Sequence, residues 1–559
     1  MDGAAPALGR LAALVSLRSR PPLRRILTAW AACFAGEAIA AVAFGVLAYR
    51  SAGATGVAFL VAVQLLPTAV LAPVLVAVAG RMRRERLALT VDVARAGVAA
   101  LAAVLSEAGA PREALFALAA VLTVGTAVSN PPRRGLLPLL VEEPAELTAA
   151  GVVIGVVQAA AQTVGPLLAA VLFSVSGATE VLAASAACFA GSALAEARLP
   201  NTTDVAARPA GESARAARAA LRALERGLRT VRSDPELAVV SELFAAKNLG
   251  RGALNVLIVV VPLALLGIGS AGVGWLTAVL GAGGIAGGLA AATLVGRRRM
   301  IPAMVAGLAL WGLPLIALGG LPYLAAAVVG LAVLGAGNTV TDVAGYTLIG
   351  RLARDDLLDA VYSVHEAVRA IAIVVGSAAT AAVVELAGTR AALIAAGATL
   401  LAAAVWGELS RGKEHSRQPR PEHVRLIKSN PLFGWLPPIA LSRLASRVEE
   451  FELQAGAVLL RQGDPGEAAY LIETGELVAD RDGREIGRLQ AGAVVGEIAL
   501  LHNAPRMATV RALTDCRLLT IDRDEFIAAA TGNTGAYDEA ERLVEGRLAE
   551  ARAAAGSLG

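Results

Sequence analysis

From roughly Leu27 to Trp406 the chain alternates between long apolar runs and short polar separators. Each run is about 20 residues or more, enough to cross a hydrocarbon layer of about 30 Å, and about twelve can be counted. The separators are of two kinds. One kind is basic: Arg10, Arg18, Arg20, Arg24 and Arg25 before the first run, then RMRRER (Arg81 to Arg86), PPRRG around Arg133 and Arg134, the Arg-rich segment from Ala207 to Arg232, Arg297 to Arg299, and RLARDD from Arg351. The other kind is short and nearly neutral, such as YRSAGATG, SGATE and GIGSAGVG. After Trp406 the pattern changes. A charged, Pro-interrupted stretch, RGKEHSRQPRPEHVR, gives way to short amphipathic helices. Strand-length runs follow, punctuated at Gly456, Gly463 to Gly466, Gly475, Asp482-Gly483 and Gly492. That spacing predicts a small all-β roll, and the Asp482-Gly483 step predicts a hairpin turn.

Basic residues collect on the cytoplasmic side of membrane helices. The alternation therefore predicts an even number of spans with both termini cytoplasmic, in a multi-pass protein of the plasma membrane. The expected fold is an α-helical membrane protein of about twelve helices in two six-helix pseudo-repeats, with a small C-terminal β-roll and flanking helices. The expected divisions are a cytoplasmic segment at 1–24, a transmembrane domain at 25–410 with a central loop at about 196–236, a linker at 411–429, the roll domain at 430–535, and a lid or contact helix at 536–559. The repeat is read from ELTAAGVVIGVVQ and LLDAVYSVHEAVR, which align without gaps at an offset of 211 that matches Gly165 to Gly376 and Gly177 to Gly388. A second basic turn, at Arg297 to Arg299, answers the one at Arg81 to Arg84.

Composition agrees with this picture. The chain has 559 residues, is 56% hydrophobic and carries a net charge of +4, with a mean hydropathy of +0.63. Its arginines lie between apolar runs rather than in one stripe, which argues against nucleic acid as a partner. Cys33, Cys188 and Cys516 are far apart, and neither metal-ligand nor disulfide spacing is present. No Walker loop, metal cluster or nucleophile elbow occurs, so the sequence points to no enzyme, no catalytic residue, no metal and no cofactor. The glycine-rich GAGGIAGG, Gly281 to Gly288, is flanked by apolar spans and is read as a site of close helix packing.

Ionisable groups at bilayer depth are costly, so each needs a partner or a task. Glu37 lies midway along the first span. The seventh contributes Glu242, Lys247, Asn248 and Arg251, the tenth Asn338 and Asp342, and the eleventh His365, Glu366 and Arg369. Glu37, Arg251 and Asp342 are the leading candidates for substrate or proton contact, with Glu242, His365 and Arg369 behind them. Pairing between helices is the structural alternative.

In the tail, GEIALLHNAPRMATV (Gly496 to Val510) has the makings of an anion pocket. A glycine permits close backbone approach, a short helical turn offers backbone N–H groups, and Arg506 can grip two oxygens of a phosphate at once. Glu497 can accept hydrogen bonds from a ribose hydroxyl.

Two resemblances follow from these stretches. Residues 25 to 410 resemble the major facilitator superfamily, most nearly its bacterial efflux-type branch, through the basic turn after the second span, the SNPPRRGLLPLLVEEPAELTAAG passage and GPLLAAVL. Where that family has an Asp in the basic turn, this chain has Gly80; Asp92 and Arg95 are the candidates to replace the lost charge. Residues 430 to 550 resemble the cyclic nucleotide-binding domain, and Gly496 to Val510 its phosphate cassette. This resemblance implies contacts from Gly496, Glu497, Ile498, Ala499, Leu500, Arg506, Met507 and Ala508, with Glu497 on the ribose 2′-hydroxyl and Arg506 on the cyclic phosphate. Members favouring cyclic GMP often carry Thr after the cassette Arg; Met507 stands there instead, which favours cyclic AMP. Tyr537 is a candidate for stacking on the base.

Together these imply a secondary transporter of a small molecule, proton-coupled in one version, regulated by cyclic AMP. A receptor on a transport-inactive scaffold and a transporter of the cyclic nucleotide itself are the alternatives. A homodimer through the tail is a further expectation.

Overall fold

The computed structural model describes residues 21–531 except 80–81, 141–143, 200–211, 293–299, 354–356, 411–419, 435, 437 and 502–503. The 536–559 helix, Tyr537, Gly80 and Arg297 to Arg299 lie outside the described residues, as does most of the segment at 1–24.

Ten helices among the described residues are long and apolar enough to cross a membrane. Two are of double length. Helix α1 (Pro21–Ala79) breaks at Ala52 and Gly53, where Gly53 takes a φ of 60°. Helix α11 (Leu358–Leu409) breaks at Gly388, with φ 87°. At 1.5 Å per residue an unbroken helix of either length would span roughly 80–90 Å, far beyond one bilayer, and each glycine supplies the left-handed backbone that divides it. Between them run α2 (Arg84–Glu107), α3 (Arg112–Leu140), α4 (Pro144–Val175), α5 (Ala178–Glu196), α6 (Glu212–Ser233), α7 (Pro235–Val260), α8 (Gly269–Ala292), α9 (Ile301–Gly320) and α10 (Leu324–Leu352).

Helices α1 to α5 surround one apolar core, containing Cys33, Phe44 and Phe189, and α7 to α11 surround another, containing Phe244, Leu308 and Trp311. The halves meet where α4 packs on α8 and α11 on α1. The internal repeat is visible in side-chain packing. A Cβ on Gly165 would lie 2.8 Å from the Ala38 Cβ, and one on Gly376 would lie 2.1 Å from the Leu249 carbonyl oxygen. The offset of 211 that relates the two glycines also relates Ala38 to Leu249. The glycine run in α8 has the same use: Cβ atoms on Gly283 and Gly287 would stand 2.0 and 2.4 Å from the carbonyl oxygens of Ala332 and Ala336 on α10. Only glycine allows two helices this close without shifting backbone.

The Arg-rich central segment is not loop throughout. Residues Glu212–Ser233 form α6, which packs on α11. Asp234 then caps α7, accepting from the Glu236 and Leu237 amides at 3.0 and 3.3 Å.

The stretch expected as a linker at 411–429 is likewise partly structured. Helix α12 (Pro421–Ser429) occupies its end, and Ile427 is fully buried in the core of the tail. An amphipathic nine-residue helix was hidden there by its proline and charges. Helix α13 (Pro438–Arg447) leads into eight strands: β1 (Glu449–Leu453), β2 (Val458–Leu460), β3 (Ala468–Thr474), β4 (Glu476–Arg481), β5 (Arg484–Gln490), β6 (Val494–Val495), β7 (Thr509–Ala512) and β8 (Cys516–Asp522). They make two antiparallel sheets, ordered β1-β8-β3-β6 and β2-β7-β4-β5. The β4–β5 turn is Asp482-Gly483, with φ of 54° and 80°, the paired left-handed residues of a type I′ hairpin. Short α14 (Glu497–Leu501) follows β6, and α15 (Arg523–Thr531) follows β8.

Candidate functional site

The cassette folds into the wall of an open cavity in the roll. Gly496 follows strand β6, and its φ of 87° turns the chain so that α14 starts at Glu497, packed against β3 and α15. Gly496, Glu497, Ile498, Ala499, Arg506 and Met507 line this cavity, opposite Ile486 and Leu489 of β5. Ala508 lines it as well. Leu500 points the other way, 1% exposed, into the core under α12, α13 and α15.

Arg506 is the fixed point of the cavity. It is 6% exposed, and its guanidinium donates from Nη1 to the Gly496 carbonyl at 2.8 Å and from Nη2 to the Ala468 carbonyl at 2.7 Å. Its backbone is pinned as well, its amide donating to Asp464 O and its carbonyl accepting from the Gly463 amide, both at 2.8 Å. Burial pushes the guanidinium below its ordinary pKa, and the Tyr470 phenol with the Glu497, Asp464 and Glu467 carboxylates works against that shift. An arginine remains cationic under such opposition. Glu497 is 3% exposed at the same wall. A buried, geometrically fixed cation beside a buried carboxylate, in a cavity otherwise apolar save for Arg488, suits a ligand that has an anionic end and a hydroxyl-bearing end.

Gly496 is needed here on two counts. Its backbone is left-handed, and a Cβ would stand 2.5 Å from Arg506 Nη1. Gly496→Ala is expected to cost the roll about 1–3 kcal/mol and to displace the guanidinium, weakening anion binding about tenfold or more. Thermal unfolding and titration of the variant check this; an unchanged affinity would contradict it.

The intramembrane candidates fall into separate groups. Glu37 accepts from Arg95 Nη2 at 2.8 Å and from Thr126 Oγ1 at 2.9 Å, and it also accepts from the Cys33 thiol at 3.4 Å. Asp342 pairs with Lys247 across α10 and α7. Glu242, exposed, accepts from Trp406 Nε1 at 2.9 Å. His365 lies 3.4 Å from Ser241 Oγ and edge-on to Phe244, while Arg369 turns to Glu366 at 2.7 Å. Arg251 lies on α7, one turn from Lys247. Thus the structure joins Glu37 only to partners in the first half and Asp342 to a partner in the second. Among the described residues no ion pair links them across the halves.

A larger network was not legible in the sequence. Arg133, which belongs to a separator-like PPRRG, lies inside α3 and is fully buried. Its guanidinium donates to Asp92, to Glu196 Oε1 at 2.6 Å and to Ser192 Oγ at 3.3 Å, and Cys33 Sγ accepts from it at 2.9 Å. Cys33 also accepts from Arg95 Nη1 at 3.0 Å, and Arg95 stacks 4.0 Å from the Phe189 ring centre. Asp92 and Arg95 are paired with each other at 3.4 Å, and each reaches further, Asp92 to Arg133 and Arg95 to Glu37. The signal available was Asp92 and Arg95 at i, i+3 on an otherwise apolar helix.

Comparison with known proteins matches two regions of the chain. Residues 243–448 match the Major Facilitator Superfamily, and residues 450–533 match the Cyclic nucleotide-binding domain. The cGMP-dependent protein kinase egl-4 of Caenorhabditis briggsae is 34% identical over 100 residues, 18% of this chain and 13% of the kinase. The cAMP-dependent protein kinase regulatory subunit of Emericella nidulans is 34% identical over 111 residues, 20% of this chain and 27% of that protein. Among solved structures, the regulatory domain of Toxoplasma gondii PKA in complex with cAMP is 35% identical over 19% of this chain and 43% of that one, with a TM-score of 0.19. The chain therefore spans less than a third of these curated relatives.

Proposed function

We propose that this chain, a fusion of a major facilitator domain with a C-terminal cyclic nucleotide-binding domain, is a secondary transporter of a small molecule whose transport is set by cyclic AMP bound in the tail. The observation that carries this reading is Arg506: buried, held by two carbonyls and facing the same cavity as Glu497. A cyclic phosphate would take guanidinium N–H groups that the two carbonyls leave over, and the ribose 2′-hydroxyl would donate to Glu497. The curated relatives name both cyclic AMP and cyclic GMP, so relatives alone do not choose between them. Met507 favours cyclic AMP, since its thioether has no strong donor or acceptor for a guanine edge.

In the membrane domain Glu37 is the leading candidate for proton or substrate contact, since its carboxylate is 26% exposed while its partner Arg95 is 2% exposed. Asp342, 32% exposed beside Lys247, is its counterpart in the second half, with Arg251, Glu242, His365 and Arg369 as further candidates. A ligand biases the transporter's two states only through its differential affinity for them, commonly about 1–3 kcal/mol.

Calorimetric titration of the full-length protein in detergent tests the ligand. Saturable cyclic AMP binding, tighter than cyclic GMP, is expected, and Met507→Thr is expected to narrow that preference. Absence of heat and of any thermal shift with either nucleotide would contradict the proposal.

A further inference from the structure

One side chain joins the tail to the membrane helices. Arg447, the last residue of α13, donates from Nη2 to the Leu352 carbonyl at 2.9 Å and from Nη1 to Glu525 Oε1 at 2.7 Å. Leu352 ends α10, so the guanidinium caps the negative end of a membrane helix. Glu525 lies in the first turn of α15, the helix that follows the last strand of the roll. The planar fork of the guanidinium holds both acceptors at once, one on each Nη.

Each end of this joint leads to a functional region through packed side chains. On the tail side, Phe526, next to Glu525, is fully buried and meets the Phe433 ring edge-on at 6.0 Å. Leu500 of the cassette turn α14 lies in the same core as Phe526 and Leu444. A phosphate gripped by Arg506 would pull, through the Gly496 carbonyl, on the start of α14, and Leu500 is placed to pass a shift of α14 to α15. On the membrane side, α10 carries Asp342 ten residues, about 15 Å, before Leu352. Gly345 of α10 lies against the Phe244 ring of α7, so this half of α10 moves with the helix that bears Lys247.

We propose that Arg447 is the coupling residue through which the nucleotide pocket acts on the membrane domain, by tying α15 to the end of α10. This rests on cyclic AMP binding in the tail, as proposed above. The joint is formed without ligand, so nucleotide acts by shifting α15, whose Glu525 draws the Arg447 guanidinium off the Leu352 carbonyl and loosens the cap on α10.

Hydrogen exchange on the full-length protein in lipid nanodiscs, with and without saturating cyclic AMP, tests the joint, after calorimetry has measured binding. In the wild type, amides between Gly345 and Ala353 are expected to exchange about fivefold faster or more with nucleotide. In Arg447→Gln and in Glu525→Gln, binding is expected to persist while that response is lost. If Arg447→Gln fails to fold, Glu525→Gln decides, because it releases α15 and leaves the Leu352 cap in place. An α10 response that survives in the variants, or a wild type that binds cyclic AMP with no α10 response, overturns the coupling role and leaves the binding reading intact. A wild type that does not bind overturns both.

Discussion

Replacing Arg506 with alanine is expected to weaken cyclic AMP binding to the full-length protein by about 100-fold or more. The side chain supplies the one buried cation of the cavity wall, and a charge-assisted bidentate contact to an anion is worth about 3 kcal/mol or more when its alternative is an unpaired phosphate in an apolar site. The loss has a second component. Arg506 also closes the cavity floor by bridging Gly496 and Ala468, and its removal leaves two carbonyls with no replacement donor. Arg506→Lys separates the two, since an ammonium keeps the charge but cannot reach both carbonyls and a phosphate. An intermediate loss, on the order of tenfold, is expected for it. Calorimetry on the two variants, beside circular dichroism to establish that the roll is folded, measures both. Equal affinity in wild type and Arg506→Ala would remove Arg506 from the site.

The largest effect on stability is expected at Arg133. This guanidinium lies between Asp92 and Glu196, and both side chains of each ion pair are fully buried. Removing one partner of a buried pair leaves its counter-charge uncompensated, at a cost of about 3–5 kcal/mol. Arg133→Ala strands Glu196 and leaves Asp92 only its longer pair with Arg95 at 3.4 Å, so its cost should lie within that range and the first half should assemble poorly. Arg95→Ala should cost less, because Glu37 keeps the Thr126 hydroxyl and is partly exposed. Monodisperse yield and thermal unfolding in detergent compare them. A well-folded Arg133→Ala with an unaltered unfolding temperature would mean that the network contributes little to the fold.

How far the sequence led can be judged from particular residues. Hydrophobic run length located the membrane helices, because the bilayer imposes a length on each. Gly165 and Gly376 marked the internal repeat, because close helix contact leaves room for nothing larger than hydrogen. Asp482-Gly483 marked a hairpin, since its two left-handed residues need this chemistry. Glu497 and Arg506 were placed on one cavity by a motif only ten residues long, whose geometry is local. What the sequence did not carry is what depends on helices meeting. Arg133 resembled a loop cation until α3 carried it inside, and its partners lie 41, 63 and 100 residues away in sequence. Cys33, whose spacing pointed to neither metal nor disulfide, accepts hydrogen bonds from two guanidiniums for the same reason. Arg447 lay in a short amphipathic helix with no motif, and only its contact with Leu352 distinguishes it.

The central claim is that a nucleotide in the tail changes the state of the membrane domain. Its most direct test is hydrogen exchange across the whole chain in nanodiscs, at zero and saturating cyclic AMP, with Arg506→Ala as the control that cannot respond. The account predicts altered exchange in membrane helices, α10 among them, in the wild type and none in the control. Protection confined to residues 449–531, with the membrane helices unchanged by bound nucleotide, would contradict it.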